Sequence, residues 1–163
     1  MDLNDNLIRQ TALQLLFQQF CERMTRDPRY NQEIRRLWHS FSDRPQAAAV
    51  IMRTRYHRAL SPEEAVMMSE WIYAFFSKKS TRRFISHEEK LAMWQAQNGI
   101  CPCCGKSMGL DMSKNHADHI IPHTYVGDEL PNNLRLTHDG CNFSKGSTLD
   151  YDLKVHLSQV SSL

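Results

Sequence analysis

Cys101-Pro-Cys-Cys-Gly105, His116-Ala-Asp-His-Ile-Ile-Pro122, Asn132-Asn-Leu134 and His138-Asp-Gly-Cys-Asn-Phe-Ser-Lys145 decide how the rest of this 163-residue chain is read. Two sets of chemical groups interleave in these stretches. The first is soft. Cys101 and Cys104 form a C-x2-C knuckle, and Gly105 stands where such a turn often requires a positive φ. His138 and Cys141 form a second, H-x2-C pair. Two pairs of this kind close a tetrahedral Cys3His site for Zn2+ of the structural type, which leaves no open position for a substrate. Cys103 is a spare thiol inside the knuckle, because the pair three apart gives the usual spacing.

The second set is hard. Residues 116–121 have the composition of a short strand that Pro122 ends. Leu134-Arg-Leu-Thr137 alternates apolar and polar, as a half-buried strand does. Between them, 123–133 is expected to be a polar loop with Gly127, Pro131 and two Asn residues. After Gly140 the chain starts a helix with Asn142 in or near its first turn. A hairpin followed by a helix can gather Asp118, His119 and Asn142 around one point. A carboxylate and an amide oxygen suit Mg2+ or Mn2+, which prefer oxygen and keep several waters. An imidazole beside them suits a base that deprotonates water.

These residues, Asp118-His119, Asn133, and Asn142 with Lys145, bracketed by the zinc-spaced pairs, resemble the HNH (ββα-metal) endonucleases. The resemblance covers roughly residues 85–150 and extends to Pro122, Asn133-Leu134 and Cys141-Asn142-x-x-Lys145. Two positions depart from the family pattern. His138 stands where zinc-bound members usually carry Cys, and Asn142 where the last His often sits. The resemblance implies a metal-dependent endonuclease acting on DNA. Asp118 and Asn142 would hold the catalytic divalent metal, and His119 would be the general base. Asn133 would orient His119, and Lys145 would pair with a phosphate. His123 is a secondary candidate near the metal or substrate, and His116 is expected to face packing. Two alternatives stay open: a non-catalytic zinc-stapled nucleic-acid-binding module, and an RNase of the same fold.

The remaining composition is that of a globular chain, with 41% hydrophobic and 23% charged residues, which excludes a disordered tail. No apolar run approaches the ~20 residues of a membrane span, so no membrane partner is expected. The N-terminus lacks the basic and apolar regions of a signal peptide. Five Cys, four of them spaced for metal, suit a reducing cytoplasm better than a disulfide scaffold. Charge is uneven. Residues 1–99 hold 15 Lys and Arg against 11 Asp and Glu, whereas residues 100–163 hold 5 against 7. The basic half is therefore where DNA affinity is expected, above all in Lys78, Lys79, Arg82 and Arg83, unless this run is only a solvated linker.

Upstream, apolar residues recur at helical spacing over 3–24, 29–41 and 45–59. Ser61-Pro-Glu-Glu64 is a capping box that opens a helix over 62–77, with Ala65, Met68, Trp71, Ile72 and Phe75 on a broad inward stripe. Ser86-His-Glu-Glu89 opens another that stops at Asn98-Gly99. A last helix is expected over 150–160. The expected architecture is α+β and mostly α. A helical domain spans 1–80, for partner or DNA binding or self-association, and an HNH endonuclease domain with a structural zinc spans 81–163. Such a pairing suits a nuclease effector recruited through its helical part, as a bacterial phage-defence or restriction system requires.

Overall fold

The computed structural model describes residues 3–79 and 81–144. Lys145, Ser80 and the closing helix expected over 150–160 lie outside the described residues, as do the side chains of Leu3, Leu7 and Asn142. The described chain is mostly helical with one two-stranded antiparallel sheet. Its elements are α1 (Leu3–Arg26), α2 (Pro28–His39), α3 (Arg44–Tyr56), α4 (Pro62–Ser77), α5 (His87–Ala96), a 3-10 turn (Met112–Lys114), β1 (Asn115–His119), α6 (His123–Val126), β2 (Leu134–His138) and α7 (Asp139–Ser144). Contacts divide it into two compact units. One holds residues 9–82 and 121–131. The other holds 83–120, the residues from 132 onward and the start of α1 through Ile8.

The first unit is a helical bundle. In α1, Leu13, Phe17, Phe20 and Met24 fall on one stripe and are almost wholly buried. Asp27 stops α1 and starts α2: its side chain accepts the Tyr30 N–H at 3.1 Å, with Pro28 in the first turn. The Ser61 capping box forms as its spacing requires. The Ser61 hydroxyl accepts the Glu64 N–H at 3.2 Å, and the Glu64 carboxylate accepts the Ser61 N–H at 3.0 Å. The α4 stripe is core: Met68 and Ile72 are fully buried, Trp71 packs against Phe17 at 5.7 Å between ring centroids, and Phe75 against Phe20 at 5.8 Å. Ser61→Ala removes the cap acceptor, so the unit should lose about 1 kcal/mol, read as a lower urea midpoint at unchanged slope.

The stretch 123–133, expected as polar loop, contains the short helix α6. Ile121 and Val126 join the core of the helical unit. Gly127, at φ 59°, ends α6; a Cβ there would come 3.1 Å from Lys78 Cβ.

The second unit is built on α5, the cysteine knuckle and the hairpin. Ser86 caps α5 by accepting the Glu89 N–H at 3.1 Å. Only this half of the expected box forms, because the Glu89 carboxylate takes Arg83 at 3.0 Å instead. The helix stops at Asn98 and Gly99, both at positive φ. A Cβ on Gly99 would meet the Trp94 ring at 2.7 Å, so the turn needs glycine there. β1 runs 115–119 rather than 116–121, and pairs with β2 so that Ala117 faces Leu136, Asp118 faces Arg135 and His119 faces Leu134. On the other side of β2, the Gln97 side chain acts as a strand would. Its carbonyl accepts the Leu136 N–H at 2.7 Å, and its amide donates to the Leu136 carbonyl at 2.9 Å. That satisfies an edge that would otherwise be open. Beneath the hairpin lies a thin core of Cys101, Met108, Met112 and Leu136, with Leu91, Met93 and Trp94 against it.

Candidate functional site

The soft ligands converge. The chain reverses at the knuckle, with Gly105 at φ 72°, its N–H donating to the Cys101 carbonyl at 2.8 Å, and the Cys101 N–H donating to the Lys106 carbonyl at 2.9 Å. β2 ends at His138 and α7 follows at once, which brings His138 and Cys141 to the knuckle. The donor atoms of Cys101, Cys104, His138 and Cys141 all lie within 4.8 Å of one another. His138 Nδ1 is 3.5 Å from Cys104 Sγ and 3.8 Å from Cys141 Sγ. A tetrahedral zinc with Zn–S of about 2.3 Å and Zn–N of about 2.0–2.1 Å sets such edges at about 3.5–3.8 Å.

The imidazole is also held in the right tautomer. With Nδ1 turned to the sulfurs, Nε2–H donates to the Ser107 carbonyl at 3.1 Å, the outer hydrogen bond that ligating histidines need. Burial pushes the Cys101 thiol up, but hydrogen bonds from the backbone of His138, Cys104 and Cys103 outweigh it and bring the group down to about 6, within reach of the thiolate a metal requires. Cys141 is pushed the other way, to about 12, by burial first and then by the crowding of Cys104 and Cys101. A divalent cation relieves that crowding of sulfurs. Cys103 is not a member of the four.

The hard residues sit on the hairpin beside this centre. Asp118 and His119 are the last two residues of β1, and both are half-buried. Asp118 is engaged across the ladder: Arg135 Nε donates to its Oδ2 at 3.3 Å, and the two side chains are only 14% and 10% exposed. His119 is where β1 leaves the ladder. The next residue is tied back, the Ile120 N–H donating to the Asn133 carbonyl at 2.8 Å. Asn133 is itself buried, next to Asn132 at φ 58°. Asn142 lies on α7, which packs on both strands. Lys145 falls outside the described residues.

His116, expected to face packing, is exposed instead, 4.0 Å from Asp139 Oδ1. The strand there turns one side chain fully to water. His123 is paired with Asp128 at 3.5 Å in the loop that belongs to the helical unit. In the basic run, Lys79 and Arg82 are exposed. Lys78 lies over the Phe75 ring at 4.3 Å and donates to the Thr124 carbonyl at 2.7 Å, and burial draws its pKa down. Arg83 holds Glu89.

Reading from sequence missed Arg135, Gln97 and Ser107. Arg135 did leave a trace, as a charged residue between two leucines in a short strand. Gln97 and Ser107 act through contacts that only the folded chain creates.

Among the described residues, no helix is long and apolar enough to cross a membrane. No curated protein and no solved structure matches the chain at a significant level. The HNH endonuclease family model matches residues 101–148, from the first ligand of the knuckle to just beyond α7. HNH nucleases use divalent metals, and the match points to a nuclease or nucleic-acid-binding function. Residues 101–148 are an HNH endonuclease-family domain, whose Cys101, Cys104, His138 and Cys141 are compatible with a zinc-stapled variant.

Proposed function

We propose that the protein is a divalent-metal-dependent endonuclease that hydrolyses DNA phosphodiester bonds, with a structural zinc at Cys101, Cys104, His138 and Cys141. The observation that carries this reading is the Asp118-His119 pair at the end of β1, on a hairpin whose far end closes the four-ligand cluster, inside the segment that matches the HNH family. Asp118 and Asn142 are the oxygen donors for the catalytic ion, and a carboxylate with an amide oxygen suits Mg2+ or Mn2+. That ion, when bound, supplies Lewis-acid stabilisation of the phosphate and of the leaving oxygen. His119 takes the proton from the attacking water. Asn133 orients His119 by fixing the turn beside it, through the 2.8 Å bond to Ile120 and its own buried side chain. Lys145 pairs with a phosphate oxygen of the substrate.

The test is plasmid relaxation with and without magnesium, on wild type and His119→Ala. Relaxation by the wild type alone, and only with the metal, is expected. Binding without cleavage under every metal condition would leave a zinc-stapled binding module, and faster digestion of RNA in a parallel assay would make it an RNase.

The helical segment 1–80 is proposed as the recruiting part, joined to the nuclease segment 81–163, with a bacterial phage-defence or restriction role and a cytoplasmic location. The Cys-rich metal site favours a reducing compartment. Lys78, Lys79, Arg82 and Arg83 are proposed to contact DNA phosphates. Neutralising all four should weaken DNA binding and lower the slope of log affinity against log salt by up to about 0.9 per lost contact. Lys79 and Arg82 should account for most of the change, since Lys78 and Arg83 already hold protein partners. Zinc content should not move. An unchanged salt slope would return the run to a solvated linker.

A further inference from the structure

Arg135 is an arginine in the middle of a two-stranded hairpin, directly opposite Asp118 in the register, and nine-tenths buried. Its Nε reaches one oxygen of Asp118, Oδ2, at 3.3 Å. A carboxylate that serves a small, geometrically strict cation through one oxygen must have its plane fixed, and the other oxygen is the handle for doing so. From this we infer that Arg135 is a positioning residue: it clamps Oδ2 so that Oδ1 is held out toward the divalent cation. The inference rests on the reading of Asp118 as a metal ligand given above.

Two effects oppose each other at Arg135. Its positive charge repels a divalent cation, which would weaken binding. Its hydrogen bond removes the rotational freedom of the carboxylate, which strengthens it. Partners that orient metal ligands are typically worth ~10–100-fold in metal affinity. The inference says that orientation wins, so removing Arg135 weakens metal binding although it removes a repulsive charge. An ordinary cross-strand ion pair predicts the opposite sign, or no change in metal affinity at all, since such a pair contributes only to the stability of the hairpin.

Side-chain chemistry allows the two terms to be separated. The amide nitrogen of Gln stands as many bonds from Cα as Nε of Arg, so Arg135→Gln keeps a donor at that place without the charge. Arg135→Met keeps the length and apolar bulk with neither. Arg135→Lys keeps the charge but puts the donor one bond further out.

The measurement is Mn2+ binding to the full-length, zinc-loaded protein by electron paramagnetic resonance, with zinc content and thermal melting recorded for each variant, and cleavage as a separate assay. Expected are a ~10–100-fold weaker Mn2+ affinity for Arg135→Met, an affinity for Arg135→Gln close to wild type, and Arg135→Lys between them. Equal or tighter Mn2+ binding by Arg135→Met, with Asp118→Ala impaired, overturns the positioning role and leaves the metal reading standing. Unimpaired binding by Asp118→Ala removes Asp118 as a ligand, and the inference falls with it. If Arg135→Met loses zinc or its folded transition, the comparison of Gln with Lys decides: Lys nearer to wild type than Gln would mean that charge, not the placed donor, is what Arg135 supplies.

Discussion

His119→Ala lowers the cleavage rate by about 10²–10⁴-fold at saturating magnesium, with zinc content and DNA affinity near wild type. This is the usual range for a general base, equivalent to about 2.7–5.5 kcal/mol of barrier. The proposed metal donors are other residues, Asp118 and Asn142, so the metal-dependence curve of this variant should keep its midpoint and lose its height. Asp118→Ala should do the reverse, moving the midpoint to higher metal concentration, with partial recovery in excess manganese. Manganese cannot supply a missing proton acceptor, so it should leave His119→Ala slow. Cleavage rate against metal concentration for the two variants separates the roles. A wild-type rate for His119→Ala would transfer the base to His116, which is exposed, or to His123, which is paired with Asp128.

Cys104→Ser has the larger structural effect: it should abolish stoichiometric zinc and the folded transition of the nuclease unit together. The hairpin and knuckle share a core of only four buried residues, Cys101, Met108, Met112 and Leu136, of which one is itself a ligand. A unit so thinly cored depends on its metal for folding, as small zinc domains do. His138 transmits the loss directly, because it is both a ligand and the last residue of β2. Cys103→Ser should be nearly silent, since Cys103 is not one of the four donors. Metal analysis and circular dichroism on the two serine variants decide it. Intact fold without zinc in Cys104→Ser would sink the structural role, and loss of zinc in Cys103→Ser would show that the wrong thiol was chosen.

What could be read before any coordinates was what is local. The Ser61 box, the Asp27-Pro28 boundary and the Asn98-Gly99 stop depend on residues within one turn of each other. The two ligand pairs are legible because zinc imposes spacing on the chain itself. The clamp on Asp118 was not legible, since it needs the register of strands joined through more than a dozen residues, and one step of slip would put another residue opposite. α6 escaped notice because four residues carry no usable period. The exposure of His116 depends on which face of β1 meets the thin core, and a five-residue strand with both neutral and charged residues on each face does not declare it.

The chain runs through the helical unit twice, first as residues 9–82 and again as 121–131, where Ile121 and Val126 complete its core. On a ribosome, with the N-terminus emerging first, the four long helices must therefore wait for about 40 further residues, several seconds of synthesis at roughly 5–20 residues per second, before their interior can close. The final zinc ligand, Cys141, is delivered later still. The order of delivery gives the nascent chain a delay: in the proposed reading it is born inert, and gains a stapled catalytic hairpin only after the bundle has received its last buried residues.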